Sequence, residues 1–268
     1  MKNIAMTGSS GFIGKYVYYF LKKNKISVTA FSRKRVKNFK YISDYSKING
    51  KFDLILYMSE NANSLEYDKY KYNQIKKYQK TIKKLSKTYK RKLIYFSSAS
   101  IYSDKNKRKI KENFKTYANS KYSINKIICE NIVRKNNGTI LRLTNIIGKN
   151  MPNRNVISTV LKQLKNKNII IQNKYPVRDF LHINDLANLI LKIIKKPKSG
   201  TYNVGFGKGI NINTLVKLLI KKKNKKKKII SIEKKFIFSK KVLDIHRTRK
   251  AFNWKPKIDL SKNIKFVI

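Results

Sequence analysis

Thr7-Gly8-Ser9-Ser10-Gly11-Phe12-Ile13-Gly14 lies between a short apolar run, Lys2 to Met6, and a stretch of helical periodicity, Phe12 to Lys23. In a strand, glycine turn and helix of this kind, the glycines permit a tight turn, a close approach of backbone to a pyrophosphate, and close packing of helix on strand. The phosphates then sit at the helix N-terminus. A glycine string alone is weak evidence, so the dinucleotide reading rests on its position between strand and helix.

Outward from this loop the chain alternates. Strands are expected at Ile26–Phe31, near Phe39–Ile42, at Leu54–Met58, Leu93–Phe96 and Thr139–Leu143. A long polar helix is expected over Glu66–Tyr89, carrying Tyr72, Ile75, Ile82 and Leu85, and another over Tyr117–Lys135. The alternation predicts an α/β fold of Rossmann type, a doubly wound parallel sheet with helices on both faces, over residues 1–147. After Gly148 the pattern loosens into helices near Val156–Leu164 and Asn184–Ile194, a stretch Gly200–Gly209, and a helix Asn213–Lys222. Residues 148–268 are therefore expected to form a smaller substrate-binding region, with some segments returning to the first domain.

Composition narrows the function classes. Of 268 residues 41% are hydrophobic, enough for a core, which excludes wholesale disorder. Cys129 is the one cysteine, which excludes an intramolecular disulfide, and His182 and His246 lack partners at zinc-site spacing; a reducing compartment and no structural metal are expected. The N-terminus reaches Thr7-Gly8 too soon for a signal peptide, and no stretch approaches the roughly 18 apolar residues of a membrane span. A soluble, cytoplasmic protein without membrane insertion is the expectation.

The formal charge is +52, from 65 Lys+Arg against 13 Asp+Glu. Three readings fit: a polyanion-binding surface, a membrane-surface protein, or a compositional bias that loads exposed positions with lysine. Abundant Asn, Ile and Tyr beside scarce Gly and Pro favour the bias, although it does not explain the depletion of Asp and Glu. Such a charge pulls on nucleic acids and anionic substrates nonspecifically, most strongly at low salt. The run Lys221–Lys228, interrupted only by Asn224, reads as a solvated helix end and loop. A noncatalytic alternative is a dehydrogenase scaffold reused to bind RNA or DNA through its lysine surface.

Where a dinucleotide fold usually places an acidic ribose ligand, the second strand ends in Phe31-Ser32-Arg33-Lys34. Arg33 suits the 2′-phosphate of NADP, so NAD and NADP both stay open with a preference for NADP. Tyr117 and Lys121, four apart at the start of an expected helix, would project from one face, with Ser98 ending the preceding strand. A free tyrosine titrates near roughly 10, so as a base it needs an ammonium beside it, which Lys121 could supply. Ser98 could orient a substrate hydroxyl.

At this point the chain resembles the extended short-chain dehydrogenase/reductases, the NAD-dependent epimerase/dehydratase group acting on nucleotide sugars. The resemblance is carried by the glycine loop, Tyr95-Phe96-Ser97-Ser98-Ala99-Ser100-Ile101-Tyr102, Tyr117-Ala118-Asn119-Ser120-Lys121 and Leu141-Arg142-Leu143-Thr144-Asn145. It continues through Arg178-Asp179-Phe180-Leu181-His182-Ile183-Asn184-Asp185-Leu186-Ala187, Tyr202-Asn203-Val204-Gly205, and the ending from Asp244 through Trp254-Lys255-Pro256 to Leu260. It implies that Tyr117 is the catalytic acid/base, that Lys121 lowers its pKa and holds the nicotinamide ribose, and that Ser98 aids proton transfer. Gly8, Gly11, Phe12, Ile13 and Gly14 would cradle the pyrophosphate, Asp44 would sit at the adenine, and Met58 and Asn73 would line the cofactor groove. Asn145 and Arg178 match positions that hold the substrate's nucleotide diphosphate, a task suited to a guanidinium fork. Family members often pair through the two helices corresponding to Glu66–Tyr89 and Tyr117–Lys135, which makes a homodimer possible, although both helices carry many lysines.

Asp179 and Asp185 are read as structural pairing and capping residues, His182 as a packed or hydrogen-bonded residue, and Cys129 as packing on its helix. The similar 4,6-dehydratases carry an Asp-Glu pair just after the catalytic Ser/Thr, where this chain has Ala99-Ser100, so dehydration is disfavoured. The GDP-fucose synthase type, also similar here, has a cysteine at the Ser100 position and a later histidine, and Asn145–Leu164 contains none; double epimerisation is disfavoured too. The resemblance then implies hydride transfer at the 4-position of a nucleotide-activated sugar, by 4-epimerisation or by reduction of a 4-keto sugar.

Overall fold

The computed structural model describes residues 2–264 apart from 62, 154 and 224; Met1 of the opening segment and Asn224 of the lysine run lie outside the described residues. In chain order the first half comprises β1 (Asn3–Thr7), α1 (Phe12–Lys23), β2 (Ser27–Ser32), β3 (Lys40–Tyr41), β4 (Leu54–Tyr57), α2 (Ser64–Asp68), α3 (Tyr72–Tyr89), β5 (Leu93–Ser98), α4 (Lys121–Lys135) and β6 (Thr139–Leu143). There follow β7 (Asn145–Ile147), α5 (Val156–Gln163), β8 (Asn168–Ile171), β9 (Val177–His182), α6 (Ile183–Lys195), β10 (Gly200–Val204), β11 (Gly209–Asn211), α7 (Ile212–Lys222), β12 (Lys228–Ser231), β13 (Lys240–Lys241) and α8 (His246–Phe252).

Seven strands form one sheet in the order β10-β6-β5-β4-β1-β2-β3, and every neighbouring pair runs parallel. Alternate residues of each central strand feed opposite cores, as a period of two requires. Ile4, Met6, Leu54, Leu56, Ile94 and Phe96 join α1 and α6 on one face, while Ala5, Ile55, Tyr57, Leu93 and Tyr95 join α3 and α4 on the other. Each such fully buried aliphatic side chain stabilises the fold by about 1.5–3 kcal/mol. The strand order reverses between β1 and β4, so a crevice opens there at the carboxyl ends of the strands. The fold is the doubly wound α/β architecture expected.

A smaller layer lies beyond β6. β9 is its centre, antiparallel to β11 and parallel to β7 and β13, while β8 and β12 pair separately. Ile157, Val160, Ile169, Ile171, Phe180, Leu215 and Leu219 form its core with Leu260. α6, β10 and α8 with Trp254 belong instead to the large sheet: Leu186, Ile190, Tyr202, Phe252 and Trp254 share its core, and Trp254 Nε1 donates to Asp185 O at 3.1 Å. The short strands of the smaller layer are absent from the sequence expectation, because runs of two to six residues carry too little periodicity to announce themselves.

Two expected helices are corrected. The helix over Glu66–Tyr89 is two, α2 and α3, separated at residues 69–71. Tyr67 turns inward onto Tyr70, Tyr78 and Tyr122 with ring centroids 4.9, 5.8 and 5.4 Å away, and the Gln74 side chain accepts the Lys71 N–H at 2.9 Å to start α3 afresh. The helix expected from Tyr117 begins only at Lys121. Ser120 caps it by accepting from Ser123 N–H at 3.2 Å, and Thr116 is drawn into an antiparallel bridge with Tyr102. Tyr117 therefore lies on non-helical chain before α4, and helical spacing does not put it on one face with Lys121.

Candidate functional site

The glycine loop occupies the reversal point of the sheet. Gly8 has φ +69°, in the left-handed region that favours glycine, and a Cβ there would come within 2.6 Å of Met58 O. A Cβ on Gly14 would collide with Gly8 O. The loop closes on itself through Gly11 N–H to Gly8 O at 3.0 Å, and it is fastened to the end of β4 by Thr7 Oγ1, which accepts from Met58 N–H at 3.2 Å and bonds Ser59 Oγ at 3.1 Å. Gly11 caps α1 without a side-chain hydrogen bond and no acidic residue stands in the first turn, so this helix N-terminus can face an anion. Gly8, Gly11 and Gly14, with Phe12 and Ile13 opening α1, thus present backbone at a helix N-terminus, a chemistry that fits a pyrophosphate.

Beside it, beyond the ends of β2 and β4, Arg33 and Asp44 line one cavity of about 360 Å³ together with Tyr45, Tyr57, Lys77 and Tyr78. The Arg33 guanidinium lies 5.4 Å from the Tyr45 ring centroid, over its face. Asp44 accepts from Ser46 N–H at 2.8 Å and faces Lys77 at 4.0 Å. Burial pushes its carboxyl up, but the Ser46 and lysine contacts outweigh that and hold it below the usual range. Asn73 is exposed in the first turn of α3.

Ser98 ends β5, and its Oγ accepts from Ser100 N–H at 3.1 Å, turning the chain at Ala99–Ile101. Tyr117 is tied to that turn by its N–H, which donates to Ile101 O at 2.6 Å, and its side chain is 58% exposed. Lys121 opens α4, with Nζ donating to Tyr70 O at 3.3 Å. What joins Ser98 to Tyr117 is therefore the bridge between residues 101–102 and 116–117.

On the smaller layer, Asn145 is exposed at the start of β7 and donates to Asp179 O at 2.9 Å. Arg178 on β9 donates through Nη1 to Val177 O and Ser239 O, and through Nη2 to Ser239 Oγ at 2.6 Å and Asp104 Oδ2 at 3.3 Å. Asp179, wholly buried, accepts from the N–H groups of Phe206, Gly207 and Leu243, and Asp185 accepts from Lys257 and Ile258 N–H. Both are structural, and His182 caps α6 by accepting from Asn184 N–H. Cys129 is buried, and burial pushes its thiol pKa well up. Among the described residues no group of three His, Cys, Asp or Glu could hold a metal ion.

Sequence reasoning missed two buried ion pairs and one half-exposed one. Lys126 meets Glu60 at 2.9 Å at the end of β4, and Arg142 grips Glu130 at 2.6 Å under β5 and β6. Asp104, Ser239 and Lys241 surround Arg178, and the scarcity of carboxylates in this chain is the one signal that could have marked Asp104.

The family model described as the NAD dependent epimerase/dehydratase family matches residues 4–205. The chain belongs to that family. It is 26% identical over 256 residues to the ADP-L-glycero-D-manno-heptose-6-epimerase of Brachyspira hyodysenteriae, covering 81% of this chain and 80% of that protein. It is 27% identical over 235 residues to the GDP-6-deoxy-D-talose 4-dehydrogenase of Aggregatibacter actinomycetemcomitans, covering 81% and 78%. Similar solved folds include the UDP-glucose 4-epimerase of Thermotoga maritima with UDP-glucose, at TM-score 0.84 and 21% identity over 99% of this chain and 97% of that one. The RMD protein of Pseudomonas aeruginosa complexed with NADPH matches at TM-score 0.85 and 18% identity, over 100% and 97%. No helix among the described residues is long and apolar enough to cross a membrane.

Proposed function

We propose that this family member is an NAD(P)-dependent enzyme that transfers hydride at the 4-position of a nucleotide-activated sugar, by 4-epimerisation or 4-keto reduction. The observation that carries the reading is the juxtaposition at the carboxyl ends of β1, β4 and β5. There the glycine loop after β1 and the Ser98 turn after β5, to which Tyr117 is hydrogen-bonded, flank the end of β4. A nicotinamide dinucleotide, when bound, supplies the hydride acceptor and donor.

In this proposal the cradle holds the pyrophosphate, Asp44 faces the adenosine half, Arg33 selects for a 2′-phosphate, and Met58 and Asn73 line the groove. Tyr117 exchanges a proton with the sugar hydroxyl, Ser98 orients that hydroxyl, and Lys121 supplies positive charge and a ribose contact. Asn145 and Arg178 hold the nucleotide diphosphate on the smaller layer. The named relatives and neighbours that act on or bind nucleotide sugars support this choice of substrate class.

Two measurements test it. Denatured, freshly purified protein analysed by mass spectrometry should release a nicotinamide dinucleotide. Stoichiometric NAD points to the epimerase form, and exchangeable NADP(H) to the reductase form. Tyr117→Phe, assayed on UDP-glucose and on GDP-6-deoxy-D-talose with either dinucleotide, should lower kcat by about a thousandfold or more while leaving dinucleotide binding unchanged. Near-wild-type turnover in that variant sinks the assignment of Tyr117.

A further inference from the structure

Arg178 and Lys241 stand opposite each other in the parallel ladder of β9 and β13, so their side chains leave the sheet on the same face. Both are partly buried, and the carboxylate that acts on both is Asp104, in direct contact with Arg178 and within electrostatic reach of Lys241. Asp104 lies six residues beyond Ser98, on the segment bridged to β13 through Lys105 and Lys240. Its Oδ2 accepts from Ser239 Oγ at 2.5 Å and meets Arg178 Nη2 at 3.3 Å.

The Arg178 guanidinium does not depend on Asp104 for its position. Nη1 donates to two backbone carbonyls, Val177 at 3.0 Å and Ser239 at 3.1 Å, and Nη2 has the 2.6 Å bond to Ser239 Oγ. The Asp104 contact is the longest of the set, and the Asp104 side chain, at 41% exposure, is more open than that of Arg178 at 25%. The cations are also under-compensated. Burial lowers the pKa of Arg178 despite Asp104, and Lys241 is lowered by burial and by Arg178 against the pull of Asp104. Two half-buried cations sharing one carboxylate leave a surplus of positive charge, which a ligand with at least two negative charges matches better.

We propose that Arg178 and Lys241 form one anion site in which Asp104 is the resting counter-ion, and that the diphosphate of the nucleotide substrate binds there by displacing Asp104. The inference rests on the reading of Arg178 as a diphosphate ligand, and adds Lys241 as a second ligand and Asp104 as the group that sets affinity.

Calorimetric titration of the full chain with UDP, GDP and ADP, at about 0.15 M salt to screen the lysine surface, tests the proposal. Asp104→Asn should tighten the Kd of the nucleotide that binds by about three- to tenfold. Lys241→Gln should weaken it about tenfold, and Arg178→Ala should weaken it more. Asp53→Asn adds the same charge near the opposite, amino end of the sheet, where its carboxylate accepts from Asn3 N–H, and should change nothing. An unchanged or weaker Kd in Asp104→Asn, with Arg178→Ala still impaired, overturns the counter-ion role and leaves the diphosphate reading standing. Equal tightening in Asp53→Asn overturns it as a general charge effect. Wild-type binding by Arg178→Ala overturns the underlying reading itself. Thermal melting checks each fold, and Asp104→Ser provides a second neutral side chain if Asn does not fold.

Discussion

Asp179 is a carboxylate with no cation in hydrogen-bonding contact among the described residues, held by three backbone N–H groups from two separate segments. Burial raises its pKa to about 6, against the lowering effect of those N–H groups. Its folded pKa lies above its unfolded value, so between roughly pH 4 and 6 the native state binds the proton more tightly. The stability it contributes is complete below the unfolded pKa and is lost as pH rises through about 6. The urea stability of wild type relative to Asp179→Asn should therefore fall by about 2 kcal/mol from pH 4.5 to 7. A pH-independent difference would show that Asp179 does not titrate in this window. Gly205 belongs to the same device: a Cβ there would come within 2.6 Å of Asp179 Oδ2, so Gly205→Ala should destabilise the protein at either pH. The sequence marked Asp179 as structural, but its partners, some 27 to 64 residues away, come from packing.

At the scale of elements, α4 is joined to β6 by a buried pair. Glu130 accepts from Arg142 Nε and Nη2 and from Ser97 Oγ, while Arg142 Nη1 donates to the Tyr102 hydroxyl oxygen and to Glu112 O. Replacing such a pair with apolar residues is often harmless, but removing one partner strands a buried charge. Glu130→Gln should cost about 3–5 kcal/mol in denaturant unfolding, and Glu130→Leu combined with Arg142→Met should recover most of it. Additive losses in the double variant would show that the two residues act separately. The strands around this pair were legible because apolar runs such as Leu93–Phe96 and Thr139–Leu143 fit a sheet buried on both faces. The start of α4 was misread because tyrosine and lysine four apart suit a helix. The Ser120 cap and the Tyr102–Thr116 bridge keep the preceding residues out of the helix. The strands of the smaller layer were illegible for a related reason: β13 has two residues and acquires its identity only from Val177 and Arg178 beside it.

Across the whole molecule the charge of +52 meets the question of assembly. The outer faces of α3 and α4 expose Tyr72, Ile124 and Ile128, but the groove between them is lined by Lys76, Lys80, Lys83, Lys87 and Lys135. Two such faces brought together across a two-fold axis repel. A dimer formed through them should be favoured by screening, so sedimentation equilibrium is expected to show more dimer at about 0.5 M salt than at 0.05 M. A salt-independent monomer would remove these helices as an interface. Lysine also lines the open cavity at α7 and β12, where Lys174, Lys217, Lys221 and Lys227 converge. Retention on single-stranded DNA should fall steeply with salt and show no preference for sequence.

The amino-acid sequence alone determined the doubly wound sheet, the glycine cradle and the order of the family segments. Each of these depends on local features: which face a side chain takes in a strand, which backbone angle a glycine can adopt, and the helical periodicity just beyond that glycine. Tertiary structure decided what the chemistry-bearing side chains face. Tyr117 meets the Ser98 turn through a bridge rather than through helical spacing, Arg33 and Asp44 share one cavity, and Arg178 is held by Ser239 and Asp104 from distant segments. Such contacts depend on how separate elements stack, and with 65 basic and 13 acidic residues no local pattern tells which lysine or arginine a given carboxylate will meet.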